Sequence, residues 1–308
     1  MERVGRGAAK LLLFGEHSAV YGHPTMGIGL PDFTELRILA KPGKGWRFPE
    51  LSGEDAARLG QLLASLASFL PGAAGEGGEI RISSTIPRGL GFGSSAALCV
   101  ALAKCFAGDG ASERDIWSIA HRAEGFFHGR PSGVDTGLSL LGGLRSFHTS
   151  SGGLPESTRL QPFPMHLVVG ALPRRKSTAD LVGELHARID AGDSKALGLI
   201  EELGVIARQA IDLVERAGPS GELGLLLGAA HRALGRLGLG DPGIDRLIDA
   251  GMESGAIGGK QSGAGSGGAF FLLYHSEDSG RASAVAIEES ARRAAIGLAA
   301  PLRVVDSA

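Results

Sequence analysis

Cysteine is scarce, with two in 308 residues, Cys99 and Cys105, six apart on one presumed helix. That spacing argues against a structural disulfide or a thiolate metal site and suits a reducing compartment. Aromatic residues make up 5% of the chain and the formal net charge is −2, so neither a stacking platform nor a basic footprint for nucleic acid is present. No run of eighteen apolar residues occurs, which removes a membrane-spanning helix. The opening "MERVGRGAAKLLLFGEHS" has only four consecutive apolar residues before Glu16, too few for a signal-peptide core. No repeat of fixed period is found. The expectation is a soluble, cytoplasmic protein with no nucleic-acid or membrane partner.

What is abundant is glycine, fifty residues in all, spread among periodic apolar segments. The spread implies many tight turns and a few places where backbone comes close to a ligand. "AKLLLF", "TELRILA" and "EIRISST" are predicted strands. Residues 54–70 form an amphipathic pattern with acidic residues at its start, and "SSAALCVALAKCFAG" is a helix closed by Gly108. Ser112 and Asp115 make a capping-box-like pair ahead of "IWSIAHRAEGFFHG". "GGLRSFH" is a strand. The Gly/Ser/Pro-rich "TSSGGLPESTRLQPFP" marks a boundary near residue 164, giving domains 1–164 and 165–308. Beyond it come a strand "HLVVGAL", several helices, a glycine run, a strand "AFFLLYH", a helix over 282–295 and a last strand "LRVVD". The fold class is α+β, its second half helices on a mostly antiparallel sheet.

Three glycine-rich places carry candidate chemistry. "PRGLGFGSSAA" follows a strand and opens a helix, so unpaired N–H groups and two hydroxyls could meet a phosphate. From the loop alone, a plain strand-to-helix turn with a serine cap stands equally. In "GGKQSGAGSGGAFFLL", Gly263, Gly265 and Gly268 spell a dinucleotide fingerprint, but a strand follows them rather than a helix. Lys260 mimics a Walker lysine, yet Ser254 stands at the first glycine position and Gln261 at the Ser/Thr position. Both readings fail. The third place, "AAKLLLFGEHSAVYGHP", is a strand with Lys10 that ends in a Gly-Glu-His turn. Glu124 and Asp135 are candidate carboxylates. His121, Glu124 and His128 share a helical face without the zincin order.

These segments together resemble the GHMP kinase superfamily. The resemblance rests on three motifs in order, "KLLLFGEHSAVYGHP", "PRGLGFGSSAA" and "KQSGAGSGGAF", which span residues 10–270. "LFGEHSAVYG" and "GRPSGVDTGLSLLGGL" are most similar to the mevalonate kinases within it. The resemblance implies a two-domain GHMP fold, an N-terminal α+β domain and a C-terminal ferredoxin-like sandwich, with the active site in the cleft between them. It implies an ATP- and Mg²⁺-dependent phosphorylation of the primary hydroxyl of mevalonate, with mevalonate and ATP as small-molecule partners and a homodimer as the common assembly. By that likeness Asp135 is the catalytic aspartate and Lys10 its partner, which stabilises charge on the attacking oxygen. Pro87, Gly89, Leu90, Gly91, Phe92, Gly93, Ser94, Ser95 and Ala96 form the triphosphate loop. Ser95, with Ser94 as the second choice, and Glu124 are the magnesium ligands, and Glu16, His17, Ser132, Ser262 and Gly263 lie at the acceptor. His17, Arg130 and nearby backbone are unranked partners for the acceptor carboxylate.

The chain departs from the family pattern in places: Ala8–Ala9 stand where Pro-Gly is common, Phe92 for leucine, Leu98 for tyrosine, Ser262 for threonine, and Ser266 interrupts the last glycine run. Two alternatives stay open. A phosphorylated mevalonate or a sugar could be the acceptor, with Arg88, Arg130 or Arg174–Lys176 as added cations. A non-catalytic ATP and ligand sensor is the other, against which the presence of Lys10, Glu124 and Asp135 together speaks.

Overall fold

A computed structural model of the chain describes residues 2–42, 45–67, 69–70, 76–108, 110–128, 131–149 and 153–306. Arg130 lies outside them. The chain divides into two compact units, each assembled from three segments. Met1–Lys10, Gly29–Pro87 and Gly93–Gly142 make the first; Leu11–Ile28, Arg88–Phe92 and Gly143–Ala308 make the second.

Strand β1 (Glu2–Phe14) is followed by a 3₁₀ turn (Ala19–Tyr21), β2 (Thr25–Pro42), β3 (Gly45–Arg47), α1 (Gly53–Leu66) and β4 (Glu76–Ser84). Helices α2 (Ser94–Phe106), α3 (Glu113–His128) and α4 (Val134–Leu141) complete the first unit. There β4 lies between β2, antiparallel, and β3, parallel, and β1 pairs with β2. The core gathers Leu36, Ile38 and Ile80 from the strands, Leu59, Leu62 and Leu66 from α1, and the buried face of α2. Gly5 and Gly7 bring β1 flat against α2: a Cβ at Gly7 would lie 2.1 Å from the Ala97 carbonyl oxygen. This contact presses the strand carrying Lys10 onto the helix that begins at Ser94. The predicted capping box at α3 is realised, with Asp115 N donating to Ser112 Oγ (3.2 Å) and Ser112 N to Asp115 Oδ2 (3.0 Å).

In the second unit β5 (Leu144–His148) pairs with the opening residues of β2 and with β6 (Glu156–Arg159). Then follow β7 (His166–Leu172), α5 (Thr178–Asp190), α6 (Ser194–Glu215), α7 (Ser220–Arg236), α8 (Pro242–Glu253), β8 (Gly258–Gln261), β9 (Gly268–Tyr274), α9 (Glu277–Arg293) and β10 (Ala300–Asp306). The strands β10-β7-β9-β8 form an antiparallel sheet, and β7 and β9 are near-continuous apolar runs because helices cover them. Val168, Leu172, Phe270 and Leu272 pack with Ile244 and Leu247 of α8 and Ile287 of α9. The expected α+β class with mostly antiparallel sheets is what the chain adopts. The short elements β3, β6 in the Gly/Ser/Pro-rich stretch, β8 inside the glycine run, α4 after Gly133 and the 3₁₀ turn were not expected. Among the described residues no helix is long and apolar enough to cross a membrane.

Candidate active site

The first unit gathers charge around β1. Lys10 points inward, its side chain 4% exposed, and its Nζ lies 3.0 Å from Asp135 Oδ1. Asp135 occupies the first turn of α4, where a carboxylate is favoured. Two side chains fix the turn ahead of it, because Trp117 Nε1 (3.0 Å) and Thr136 Oγ1 (3.1 Å) both donate to the Gly133 carbonyl. Ser132 Oγ accepts from Val134 N at 3.3 Å, so this residue caps the turn.

Glu124 on α3 is buried, and among the described residues neither carboxylate oxygen has a hydrogen-bond partner. Burial, and next the charge of Asp135, push its pKa up to about 8, with Lys10 opposing. Its carboxyl shares an electrostatic environment with the Lys10–Asp135 pair. A buried carboxyl with free oxygen lone pairs suits a hard cation, which would take the place of the proton that burial favours. Ser95, in the first turn of α2, is within 3.2 Å of His128 Nε2. Among the described residues no group of three or more His, Cys, Asp or Glu gathers for a metal. A divalent cation held by Glu124 and the Ser95 hydroxyl would therefore complete its shell with phosphate oxygens and water.

The loop at 87–93 shows why its glycines alternate. Gly89, Gly91 and Gly93 have φ of +73°, +97° and +77°, so every second residue is left-handed. Gly93, not a serine, stands at the N-cap of α2, and a Cβ there would lie 2.8 Å from Lys10 Cγ. Phe92 and Ala96 are buried and leave the loop's backbone, not their side chains, as the exposed chemistry. Within the second unit, Gly91, Gly263 and Gly268 surround the Arg174 guanidinium. A Cβ at these glycines would lie 2.9, 3.3 and 2.6 Å from its nitrogens. Arg174 Nη1 also donates to Thr178 Oγ1 at 2.8 Å. Sequence reasoning listed this cation for a phosphorylated acceptor; its place is against the glycine loop.

The remaining candidates meet in the second unit. Glu16 is buried and pairs with the fully buried Lys260, whose Nζ also donates to the Gln261 carbonyl at 2.7 Å. Desolvation lowers the Lys260 pKa and Glu16 opposes this. Gly263 N approaches Glu16 Oε1 at 3.4 Å. His17, at φ +61°, donates Nε2–H to the Ala264 carbonyl at 3.0 Å, and burial lowers its pKa. Ser262 Oγ both accepts from Leu12 N (3.1 Å) and donates to the Leu12 carbonyl (2.9 Å), which ties β1 to the loop. Ser266, the interruption of the glycine run, adopts φ +55° as its glycine neighbours do. Lys260 carried no signal beyond a failed Walker match, since its partner is 244 residues away.

The model of the "GHMP kinases N terminal domain" matches residues 56–143, and that of "GHMP kinases C terminal" matches residues 208–292. The mevalonate kinase of Archaeoglobus fulgidus is 30% identical over 87% of this chain and 91% of its own length. The chain belongs to the GHMP kinase family. A second GHMP kinase relative, the mevalonate kinase of Aeropyrum pernix, is 29% identical over 95% of each chain. The crystal structure of L. major mevalonate kinase in complex with R-mevalonate shares the fold, with a TM-score of 0.77 and 24% identity over 95% of this chain and 91% of that chain. Membership makes this GHMP kinase an ATP-dependent small-molecule kinase with the family's two-domain α+β fold.

Proposed function

We propose that this GHMP kinase transfers the γ-phosphoryl group of ATP to the primary hydroxyl of mevalonate, giving 5-phosphomevalonate and ADP. The observation that carries the reading is the Lys10–Asp135 ion pair at 3.0 Å, a buried amine against a partly open carboxylate. The acceptor is drawn from the relatives named mevalonate kinase at up to 30% identity over most of the chain.

Phosphoryl transfer asks a protein mainly for positioning and charge neutralisation. Asp135 Oδ orients the hydroxyl and receives its proton as the oxygen attacks. The Lys10 ammonium stabilises the negative charge that develops there. The amides of residues 89–95, at the start of α2, receive phosphate oxygens, and Arg174 beside Gly91 adds a cation. Mg²⁺, held by Glu124 and Ser95, supplies neutralisation of the β- and γ-phosphate charge when bound. Glu16, His17, Ser132, Ser262 and Gly263 are assigned to the acceptor side. Of these, Glu16 and Ser262 act through the backbone they hold, since Lys260 and Leu12 already engage them.

ADP release measured with mevalonate, 5-phosphomevalonate and galactose tests this directly. The expected result is a kcat/KM for mevalonate above each of the others by at least about 100-fold. A preference for the phosphorylated acceptor or the sugar overturns the assignment.

A further inference from the structure

A hydroxyl that ligates a cation uses an oxygen lone pair, and its own proton must then go elsewhere. In water that acceptor is solvent; inside a protein it has to be supplied. Ser95 Oγ has a protein partner, His128 Nε2 at 3.2 Å, across the packed pair α2 and α3. His128 stands four residues after Glu124 on α3, so both side chains leave the helix on one face, a turn apart. The helix that holds the buried Glu124 carboxylate thus also holds the group that faces the serine hydroxyl.

We propose that His128 is a positioning residue for the cation site. Its Nε2 accepts a hydrogen bond from the Ser95 hydroxyl and so turns an oxygen lone pair toward the metal that Glu124 and Ser95 share. The inference rests on the metal roles proposed above for those two residues. It assigns His128 no contact with substrate and no proton transfer in the reaction. It adds the requirement that the imidazole present an acceptor at the ε position, which selects the tautomer with hydrogen on Nδ1.

The experiment measures Mn²⁺ affinity by the free-ion electron paramagnetic resonance signal, in the presence of a saturating non-hydrolysable ATP analogue. Wild type, Ser95→Ala, His128→Ala and His128→Gln are compared, each checked for folding by thermal melt. His128→Ala is expected to raise the Mn²⁺ dissociation constant about 10- to 100-fold, the usual range for loss of an outer partner of a metal ligand. His128→Gln, whose amide oxygen can accept near the same position, should recover most of that loss. The Mg²⁺ concentration needed for half-maximal turnover should move in parallel, while KM for the acceptor stays within about threefold. If Ser95→Ala weakens Mn²⁺ and folded His128→Ala binds it as wild type does, the role of His128 falls and the metal site stands. If His128→Ala does not fold, His128→Gln decides: affinity as poor as that of Ser95→Ala overturns the proposal. If Ser95→Ala leaves Mn²⁺ affinity unchanged, the metal assignment itself fails and this proposal with it.

Discussion

Individual side chains divide into those whose chemistry shows in a motif and those whose chemistry is created by burial. Lys10 and Asp135 belong to the first kind. Each sits in a stretch similar to a family motif, and the fold brings them to 3.0 Å within one unit. Lys10→Met and Asp135→Ala should each lower kcat by about 10²–10⁴ while binding of an ATP analogue, read by calorimetry, persists. Lys260 belongs to the second kind, and so does the protonation of Glu124, whose ligand role the likeness implied, because nothing local announces that a glutamate on a helix or a lysine among glycines will lose its water. For Glu124 the consequence is a pH dependence. Its carboxyl titrates near 4.5 when unfolded and at about 8 in the fold. Between those values the folded chain keeps a proton that the unfolded chain has released. Stability of the unliganded protein therefore falls as pH rises through that window, and levels above it. Urea unfolding of Glu124→Gln should show this slope flattened. For Lys260, substitution by Met leaves Glu16 charged, buried and without its cation. The expected cost is about 3–5 kcal/mol in urea denaturation, and the double variant with Glu16→Gln should recover part of it.

Elements were legible where periodicity or capping chemistry was local. α2 begins at Ser94 and α3 follows the Ser112–Asp115 box as the spacing predicts. β8 was hidden, because "GGKQ" has no alternation and becomes a strand only through its pairing with β9, Gly258 opposite Leu273. Tertiary packing selects glycine there: a Cβ at Gly258 would lie 2.4 Å from the Gly224 carbonyl oxygen on α7. α4 was hidden for another reason. It spans eight residues, and what starts it is the Gly133 carbonyl, held by Trp117 from α3 and by Thr136. That turn sets the direction of Asp135, so Trp117→Phe, which loses one of the two side-chain donors and leaves Thr136 and the Gly137 amide, should cost about 1 kcal/mol of stability and lower kcat more than it changes KM for ATP. Unchanged kcat in that variant would show that the turn holds Asp135 without it.

Across the chain, the α+β class and the GHMP membership were readable because three motifs survive in order over residues 10–270. Each compact unit, by contrast, is assembled from three separate segments. Long-range contacts define such a unit, and no composition window reports them. Relatives at 28–30% identity preserve a fold and a reaction type more firmly than an acceptor pocket. The acceptor pocket therefore decides which reaction of the family this chain runs. The measurement that bears on it most directly is ³¹P NMR of wild type and Asp135→Ala incubated with ATP, Mg²⁺ and mevalonate. Wild type should convert the γ-phosphate signal into a phosphate monoester coupled to the C5 methylene protons, and Asp135→Ala should form it at least about 100-fold more slowly. Free inorganic phosphate as the sole product, or equal monoester rates from the two proteins, contradicts the proposed reaction and the role of Asp135.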